Sequence, residues 1–352
     1  MGGRRHGVAW SLGALLAVLA TATLVAGSAG PAQSRSGLPA ATVKARKAFF
    51  GAANVDRRGG VQRDRVILSW FGVSSLAASF GGHVALLDTY INQIDARDCT
   101  GPQRPTPKDY VPTSYPQLVA LRPEAIFIGH EHFDHQCRSG ELLLRTGARL
   151  VGLPRQCQLA RRQAREYARR SVRIHCARTL AADSAFGARR EIRPLGRDVP
   201  VTVVRNLHSG PASQPPNNSG GAESLLYRFR VGRFSLVWND TNGPLRENAP
   251  RLLRVLRALP ATDVQFGASL GLNLGEHGYR DAIDYSKALR AKDYYAIHQD
   301  FGSTDGSSRG QLPRIRREFA ARPGLRTRLH WLQDPGDYVE PIVFRIGGRR
   351  WR

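Results

Sequence analysis

Residues 130 to 135 read His-Glu-His-Phe-Asp-His, and this run constrains the fold and chemistry of the chain more than any other segment. It follows an apolar stretch at residues 125 to 129, which predicts a short buried strand. On an extended exit from that strand, His130 and His132 point the same way because alternate residues share a face. Asp134 and His135 follow where the chain must turn, so their side chains can approach a second metal position nearby. We interpret the run as ligands for two adjacent metal ions; the alternative is a chance cluster of surface histidines.

Two-metal sites need further ligands, because each ion must be held while one position stays open. Three polar residues each end an apolar, strand-like run, which is where α/β proteins tend to place their sites. They are His208 after residues 201–207, Asp240 after residues 234–239 and His298 after residues 294–297. Taken singly, each is equally explained as a hydrogen-bonded polar residue at a strand end. Their order after the first motif favours the metal interpretation.

The order His-x-His-x-Asp-His, then His, Asp and His, resembles the metallo-β-lactamase superfamily. Residues 66–88 look like the first hairpin of that family, and Pro335-Gly336-Asp337 looks like its closing strand turn. The resemblance spans about residues 64 to 345 and is nearest to the branch of ascorbate-6-phosphate lactonase-like hydrolases. One departure is Asn239, which stands where that branch has glycine before the bridging aspartate. Asparagine tolerates left-handed backbone, so we expect the turn to survive.

The resemblance implies an α/β fold, a four-layer αββα sandwich, with a binuclear metal centre. In that arrangement one ion is held by His130, His132 and His208, the other by Asp134, His135 and His298, and Asp240 bridges them. Two divalent cations about 3.5–4 Å apart lower the pKa of a shared water and yield a bridging hydroxide that attacks a carbonyl or phosphoryl centre. Asp134 is then the catalytic residue that orients the nucleophile and shuttles its proton. The ligand types suit Zn²⁺, and Mn²⁺ or Fe²⁺ also accept them.

Two further residues are candidates for supporting roles. Asp88 ends a predicted strand and is a candidate acceptor for the N–H of a ligand imidazole; a strand-end turn residue is an equal alternative. His277 lies in a glycine-rich loop at residues 271–278, shortly before His298. This placement makes His277 a candidate general acid or substrate anchor, whereas an exposed turn histidine is the simpler interpretation.

The first 32 residues form a segment of their own. Arg4 and Arg5 precede an apolar stretch from Val8 to Gly27, and small residues follow it. This is the pattern of a signal peptide, so we expect a secreted or extracytoplasmic protein. Twenty apolar residues also suffice to span a bilayer, so the alternative is an uncleaved N-terminal anchor and a membrane location.

The rest of the chain divides into three predicted regions. Residues 33–63 are a linker and an N-terminal helix, residues 64–345 are the hydrolase domain, and residues 346–352 are a basic tail.

Four cysteines form an even set in a chain predicted to be exported, which allows two disulfides in three possible pairings. Cys157 and Cys176 bracket a helix-like basic segment and would link its two ends. Cys99 would then pair with Cys137 and tie a loop to the metal motif. Cys137 is also close enough in sequence to His135 to be suspected as a ligand, but the other ligands make that role unnecessary.

The net charge of +24 ordinarily suggests a nucleic-acid or anionic partner. Only five of the 52 basic residues are lysine, however, and an excess of arginine with abundant alanine and glycine is typical of a GC-biased genome. We therefore expect a small-molecule substrate and no specific nucleic-acid binding.

The leading interpretation is an exported binuclear hydrolase acting on an ester, lactone or phosphoester bond. One alternative is a phosphodiesterase or nuclease of the same superfamily. Only 57 residues separate Asp240 from His298, and they read as one compact α/β stretch without a substrate-clamping insert. The other alternative is a non-catalytic metal-binding module of the cell envelope.

Overall fold

The computed structural model describes residues 37–91, 99, 113–208, 224–269, 278–298, 312–332 and 337–347. Several predicted features therefore lie outside the described residues: the N-terminal segment 1–32, His277, Pro335-Gly336 and residues 348–352 of the basic tail. The chain divides into two units at Gly37, and the first unit lies wholly outside this range. Among the described residues, no helix is both long and apolar enough to cross a lipid bilayer.

The described strands form two seven-stranded sheets. The first sheet contains β1 (Arg65–Gly72), β2 (Ser75–Phe80), β3 (His83–Leu87), β4 (Ala125–Phe127), β5 (Arg149–Gly152), β6 (His175–Arg178) and β14 (Pro341–Arg345), in the order β14-β1-β2-β3-β4-β5-β6. The second contains β7 (Arg189–Ile192), β8 (Val201–Asn206), β9 (Ser224–Val231), β10 (Phe234–Asn239), β11 (Val264–Ala268), β12 (Asp293–Ile297) and β13 (Arg328–Trp331), in the order β13-β12-β11-β10-β9-β8-β7. Each sheet combines antiparallel hairpins with a parallel half.

Nine described helices accompany the strands. They are α1 (Ala40–Phe50), α2 (Tyr115–Ala120), α3 (Phe133–Gln136), α4 (Ser139–Thr146), α5 (Pro154–Ala168), α6 (Leu245–Asn248), α7 (Pro250–Ala258), α8 (Gly278–Leu289) and α9 (Leu312–Ala320). Parallel strands need crossover connections, and the helices supply them in both sheets. Helix α1 is the N-terminal helix that the sequence predicts before the first strand, and it ends at Gly51 with a φ of 80°.

The two sheets face each other across an aromatic core. The Phe80 ring of the first sheet stacks on Phe229 of the second at 4.3 Å, and Phe127 meets Phe229 edge-on at 4.9 Å. On the outer side of the first sheet, Phe49 of α1 packs against Phe71. Leucines of α7 and Tyr285 of α8 cover the outer side of the second sheet. The layer order is therefore helix, sheet, sheet, helix, which confirms the predicted αββα sandwich.

This topology brings several strand ends to one edge. Strands β3 and β4 are parallel neighbours, and β10, β11 and β12 run parallel to one another. Strand β8 runs in the same direction as β10, because each is antiparallel to β9. The carboxyl ends of these strands, and the polar residues after them, consequently share one edge of the sandwich.

Candidate metal centre

The seven predicted ligands converge on this edge although they are dispersed over about half of the chain. Potential ligand atoms lie within 4.8 Å of one another in three overlapping groups. These groups are His130, His132 and His208; His130, His135 and Asp240; and Asp134, His135 and His298. The structure thus brings together every residue for which the sequence predicts a metal-binding role.

The first group is a triangle of imidazoles. Ring centroids lie 4.7 Å apart for His130 and His132, and 4.6 Å apart from each of these to His208. His130 and His132 come from the loop after β4, whereas His208 follows β8 of the other sheet. Burial lowers the pKa of both His130 and His132, so their rings stay neutral and keep a lone pair for a metal ion.

The third group, Asp134, His135 and His298, joins a carboxylate to two imidazoles. Asp134 Oδ2 lies 3.2 Å from His135 Nε2 and 3.4 Å from His298 Nε2. The two Nε2 atoms are 3.0 Å apart. Burial alone would raise the pKa of Asp134, but contact with His135 and His298 outweighs it and holds this pKa well below the ordinary value. Asp134 is therefore a carboxylate at neutral pH.

Asp240 lies between the first and the third group, because it is close to His130 of the first and to His135 of the third. Its Oδ2 is 2.7 Å from His130 Nδ1 and 3.3 Å from His135 Nδ1, and the side chain is fully buried. Its Oδ1 is also buried and accepts no hydrogen bond from the described part of the chain. A buried carboxylate oxygen without a partner is costly, and burial accordingly raises the pKa of Asp240 to about 6. A cation at this position would supply the missing partner, so the residues present fit a metal centre.

Asp88 and Ser74 contact the Nδ1 atom of the His135 ring. Its Nδ1 lies 2.7 Å from Asp88 Oδ2 and 2.7 Å from Ser74 Oγ, and the serine hydroxyl donates to the same carboxylate oxygen at 2.6 Å. The Gly129 amide donates to Asp88 Oδ1 at 3.1 Å. Burial raises the pKa of Asp88 to about 7. This geometry leaves His135 Nε2 directed at Asp134 and His298, as a ligand orientation requires.

Sequence reasoning singled out Asp88 for this role but missed Ser74. Ser74 lies in the turn between β1 and β2, 61 residues before His135, and no local pattern links the two positions. Only the packing of the turn against the metal motif reveals the contact.

The backbone beside the centre is strained. Val73, Asp88 and His298 have φ values of 41°, 54° and 69°, in the left-handed region that non-glycine residues seldom occupy. The Val73 carbonyl accepts hydrogen bonds from the His298 amide at 2.9 Å and from Trp70 Nε1 at 3.0 Å. Such strain persists where the surroundings hold it in place, and one of the three residues, His298, is itself a candidate ligand.

Helix α5 supports the metal motif through glutamines. Gln156 Nε2 donates to the Gly129 carbonyl at 3.2 Å, and Gln136 Nε2 donates to the Gln156 carbonyl at 2.7 Å. Gln163 Nε2 donates to the Gln136 carbonyl at 3.0 Å. The start and the end of the motif are therefore both hydrogen-bonded to one helix.

The cysteines differ in part from the prediction. Cys99 and Cys137 form the expected disulfide, which ties residue 99 to the end of the metal motif and removes Cys137 from the set of possible ligands. The predicted bond between Cys157 and Cys176 is not found, because both residues are free thiols in the structure. They are nevertheless neighbours, since both line one cavity.

We expect Ser74→Ala to weaken metal binding at the Asp134–His135–His298 group by about 10- to 100-fold, the range typical for partners that orient a ligand. The substitution removes the hydroxyl that joins Asp88 to His135 and leaves both of those residues in place. Competition with a chromophoric chelator measures the affinity. Ser79→Ala is the matched control, because Ser79 is a buried strand serine whose hydroxyl has no partner among the described residues. Wild-type affinity in Ser74→Ala would contradict the positioning role.

The chain is similar to several solved structures, although no protein-family model and no curated protein matches it. An isothiocyanate hydrolase from Delia radicum gut bacteria is 15% identical, with 79% of this chain and 99% of that chain covered and a TM-score of 0.52.

Two further solved structures align over similar lengths. A metallo hydrolase from the archaeon Ignicoccus hospitalis is 14% identical, with 80% and 99% of the two chains covered and a TM-score of 0.49. A metallo-β-lactamase fold protein from Bacillus subtilis is 11% identical, with 80% and 99% covered and a TM-score of 0.44.

At these identities the likeness concerns the fold alone. Two facing seven-stranded sheets with outer helices give this chain the four-layer αββα sandwich that the sequence resemblance implies, with a histidine–aspartate cluster at their common edge, and the chain is similar in fold to the isothiocyanate hydrolase. The fold that the sequence resemblance implies is thus confirmed, and the ascorbate-6-phosphate lactonase-like branch stays a prediction.

Proposed function

We propose that this chain is an exported, binuclear metal-dependent hydrolase that acts on a small-molecule ester, lactone or phosphoester. The observation that carries the proposal is the convergence of five histidines and two aspartates from both sheets into overlapping ligand groups. A purely structural metal site closes its coordination around one ion. Seven ligands that form two groups around a shared aspartate suit two ions, for which Zn²⁺ is our first candidate and Mn²⁺ or Fe²⁺ are alternatives.

Two divalent ions held here would activate a water molecule and polarise an oxygen of the substrate. The chain's own residues divide the remaining tasks. Asp134 stays anionic at neutral pH, so it orients the attacking water by accepting a hydrogen bond. Asp88 and Ser74 fix the ring of His135, and Asp240 holds the two ligand groups together.

Export is part of the proposal and rests on the N-terminal sequence. The Cys99–Cys137 disulfide supports it, because disulfides persist in oxidising compartments. An N-terminal sequence determination of the secreted protein tests this part. We expect the mature chain to begin shortly after residue 30; an intact Met1 in a membrane fraction would favour the anchored alternative.

The test of the activity is a substrate panel run on the purified, metal-loaded protein. The panel contains lactones, carboxylic esters, phosphodiesters and thioesters, and isothiocyanates are added because the structure with a TM-score of 0.52 is that of an isothiocyanate hydrolase. We expect hydrolysis of at least one class, loss of that activity on chelation and its return with added metal ions. A fully metallated protein that hydrolyses none of these classes would favour the non-catalytic binding module instead.

Single-stranded nucleic acid belongs in the same panel because the chain carries a net charge of +24. We expect no cleavage. Salt-sensitive binding together with strand cleavage would favour the nuclease alternative.

A further inference from the structure

A cavity of about 410 Å³ lies between α5 and β6, and both free thiols line it. Cys157 is in the first turns of α5, and Cys176 is on β6, where it pairs with Leu150 of β5. None of the seven candidate metal ligands lines this cavity. It is therefore a second site, distinct from the candidate metal centre.

The two thiols are chemically unequal. Cys157 is buried, whereas Cys176 is partly exposed, so a molecule in the cavity reaches the Cys176 sulfur more easily. The neighbouring Cys176 sulfur and burial also raise the pKa of the Cys157 thiol. The positive charge of Arg161 favours the thiolate at both positions. The thiolate is the nucleophile of cysteine chemistry, so Cys176 is the more reactive member of the pair.

The walls of the cavity are positively charged. Arg161, Arg178 and Arg190 line it, and none of its described lining residues is acidic. None of these three arginines forms an ion pair with a carboxylate within the described ranges, and Arg190 Nη1 donates a hydrogen bond to the Thr179 carbonyl at 3.3 Å. The guanidinium groups of Arg161 and Arg178 are therefore available to an anionic molecule, and their planar donor geometry suits carboxylates.

We propose that Cys157 and Cys176 form a redox-active dithiol that is oxidised by small, carboxylate-bearing disulfides bound in this cavity, with Cys176 as the attacking thiol.

The reaction consists of two thiol–disulfide exchanges. The Cys176 thiolate attacks one sulfur of the disulfide RSSR, the S–S bond of RSSR breaks, and one RS⁻ leaves. The Cys157 thiol then loses its proton and attacks the Cys176 sulfur, which releases the second RS⁻. The two RS⁻ take up the proton that the Cys176 thiol released when it ionised and the proton released by Cys157. The products are therefore a Cys157–Cys176 disulfide and two RSH, and relative to the dithiol the protein loses two electrons and two protons, which RSSR gains.

Oxidation would connect this site to the metal motif. The new bond would tie β6 to the first turns of α5, and the neighbouring Gln156 donates to the carbonyl of Gly129 at 3.2 Å. The dithiol is thus one residue away from a hydrogen bond that supports the loop of His130 and His132.

The test compares two disulfides of opposite charge on the purified protein, with Cys157 and Cys176 reduced and the Cys99–Cys137 bond shown to be intact by peptide mapping. Glutathione disulfide carries carboxylates, whereas cystamine is cationic. We expect glutathione disulfide to oxidise the pair at least about tenfold faster, a factor within the range of electrostatic steering, and peptide mapping to identify a Cys157–Cys176 bond. Equal rates with the two reagents, or no such bond, would overturn the proposal.

Variants separate the role of the cavity from the overall positive charge. The double substitution Arg161→Gln and Arg178→Gln should abolish most of the preference for glutathione disulfide. The control pair Arg251→Gln and Arg254→Gln changes the net charge equally on the exposed face of α7 and should keep the preference. If both pairs behave alike, the cavity does not select the disulfide.

Single cysteine variants assign the attacking thiol. In Cys157→Ser, the reaction with glutathione disulfide should stop at a stable mixed disulfide that carries one glutathionyl group on Cys176. Cys176→Ser should oxidise at least about tenfold more slowly than the wild type, because Cys157 is buried, and burial both restricts access to its sulfur and raises its pKa. Wild-type reactivity of Cys157 in that variant would contradict the assignment of Cys176 as the nucleophile.

Discussion

Asp134→Asn is expected to lower turnover by about 10²- to 10⁴-fold, the contribution typical of a positioned acid–base group, while the fold and most of the bound metal remain. The change keeps the size of the side chain but removes the negative oxygen that lies 3.2 Å from His135 Nε2 and 3.4 Å from His298 Nε2. Without that charge, the attacking water loses the acceptor that orients it. Steady-state kinetics on whichever substrate class the panel identifies, with metal analysis of the same samples, measures the effect.

The matched control is Asp183→Asn, which makes the same chemical change at an exposed position. We expect wild-type turnover and metal content in this control. If Asp134→Asn keeps both its metal and its full turnover, Asp134 has no part in catalysis, and the hydrolytic mechanism proposed here is wrong.

Gly129→Ala is expected to disrupt the candidate metal centre without replacing any ligand. A Cβ atom at this position would lie 2.0 Å from Cγ and Oδ2 of Asp240, a distance that forces one of the two residues to move. The backbone of Gly129 cannot easily shift. Its amide donates a hydrogen bond to Asp88 Oδ1 at 3.1 Å, and its carbonyl accepts one from the Leu225 amide at 2.8 Å. Asp240 must therefore leave its place between His130 and His135.

We expect Gly129→Ala to lose most metal binding and activity and to lower the free energy of unfolding by about 1–3 kcal/mol, as overpacked cores do. Metal analysis and denaturant unfolding measure the two effects. Gly37→Ala is the control, since a Cβ there meets its nearest neighbour at an ordinary 3.4 Å. Full metal content in Gly129→Ala would show that the position of Asp240 does not matter.

The common location of the candidate ligands could be predicted because its signal is local. His208, Asp240 and His298 each follow an apolar strand, and strands that run in the same direction carry their carboxyl ends to a common edge, so the positions of these three residues follow from pattern and topology. The layer order of the fold follows from the same alternation of strands and helices.

Residues that act through tertiary contacts cannot be identified from local sequence patterns. Ser74 reaches His135 across 61 positions, and Gly129 matters because Asp240, which is 111 residues later, packs against its α-carbon. The state of Cys157 and Cys176 is likewise not encoded in their spacing, since an even cysteine count limits the possible pairings without deciding which bonds form.

The central claim is that seven residues at one edge of the sandwich hold two metal ions. Its most direct test is a metal titration of the purified, metal-free protein by isothermal calorimetry, with elemental analysis of the loaded sample. We predict close to two Zn²⁺ ions per chain, falling to about one in His298→Ala, which removes a ligand of one group and leaves the triangle of His130, His132 and His208 intact. A folded wild-type protein that binds no ion, or an unchanged two-ion stoichiometry in His298→Ala, would contradict the claim.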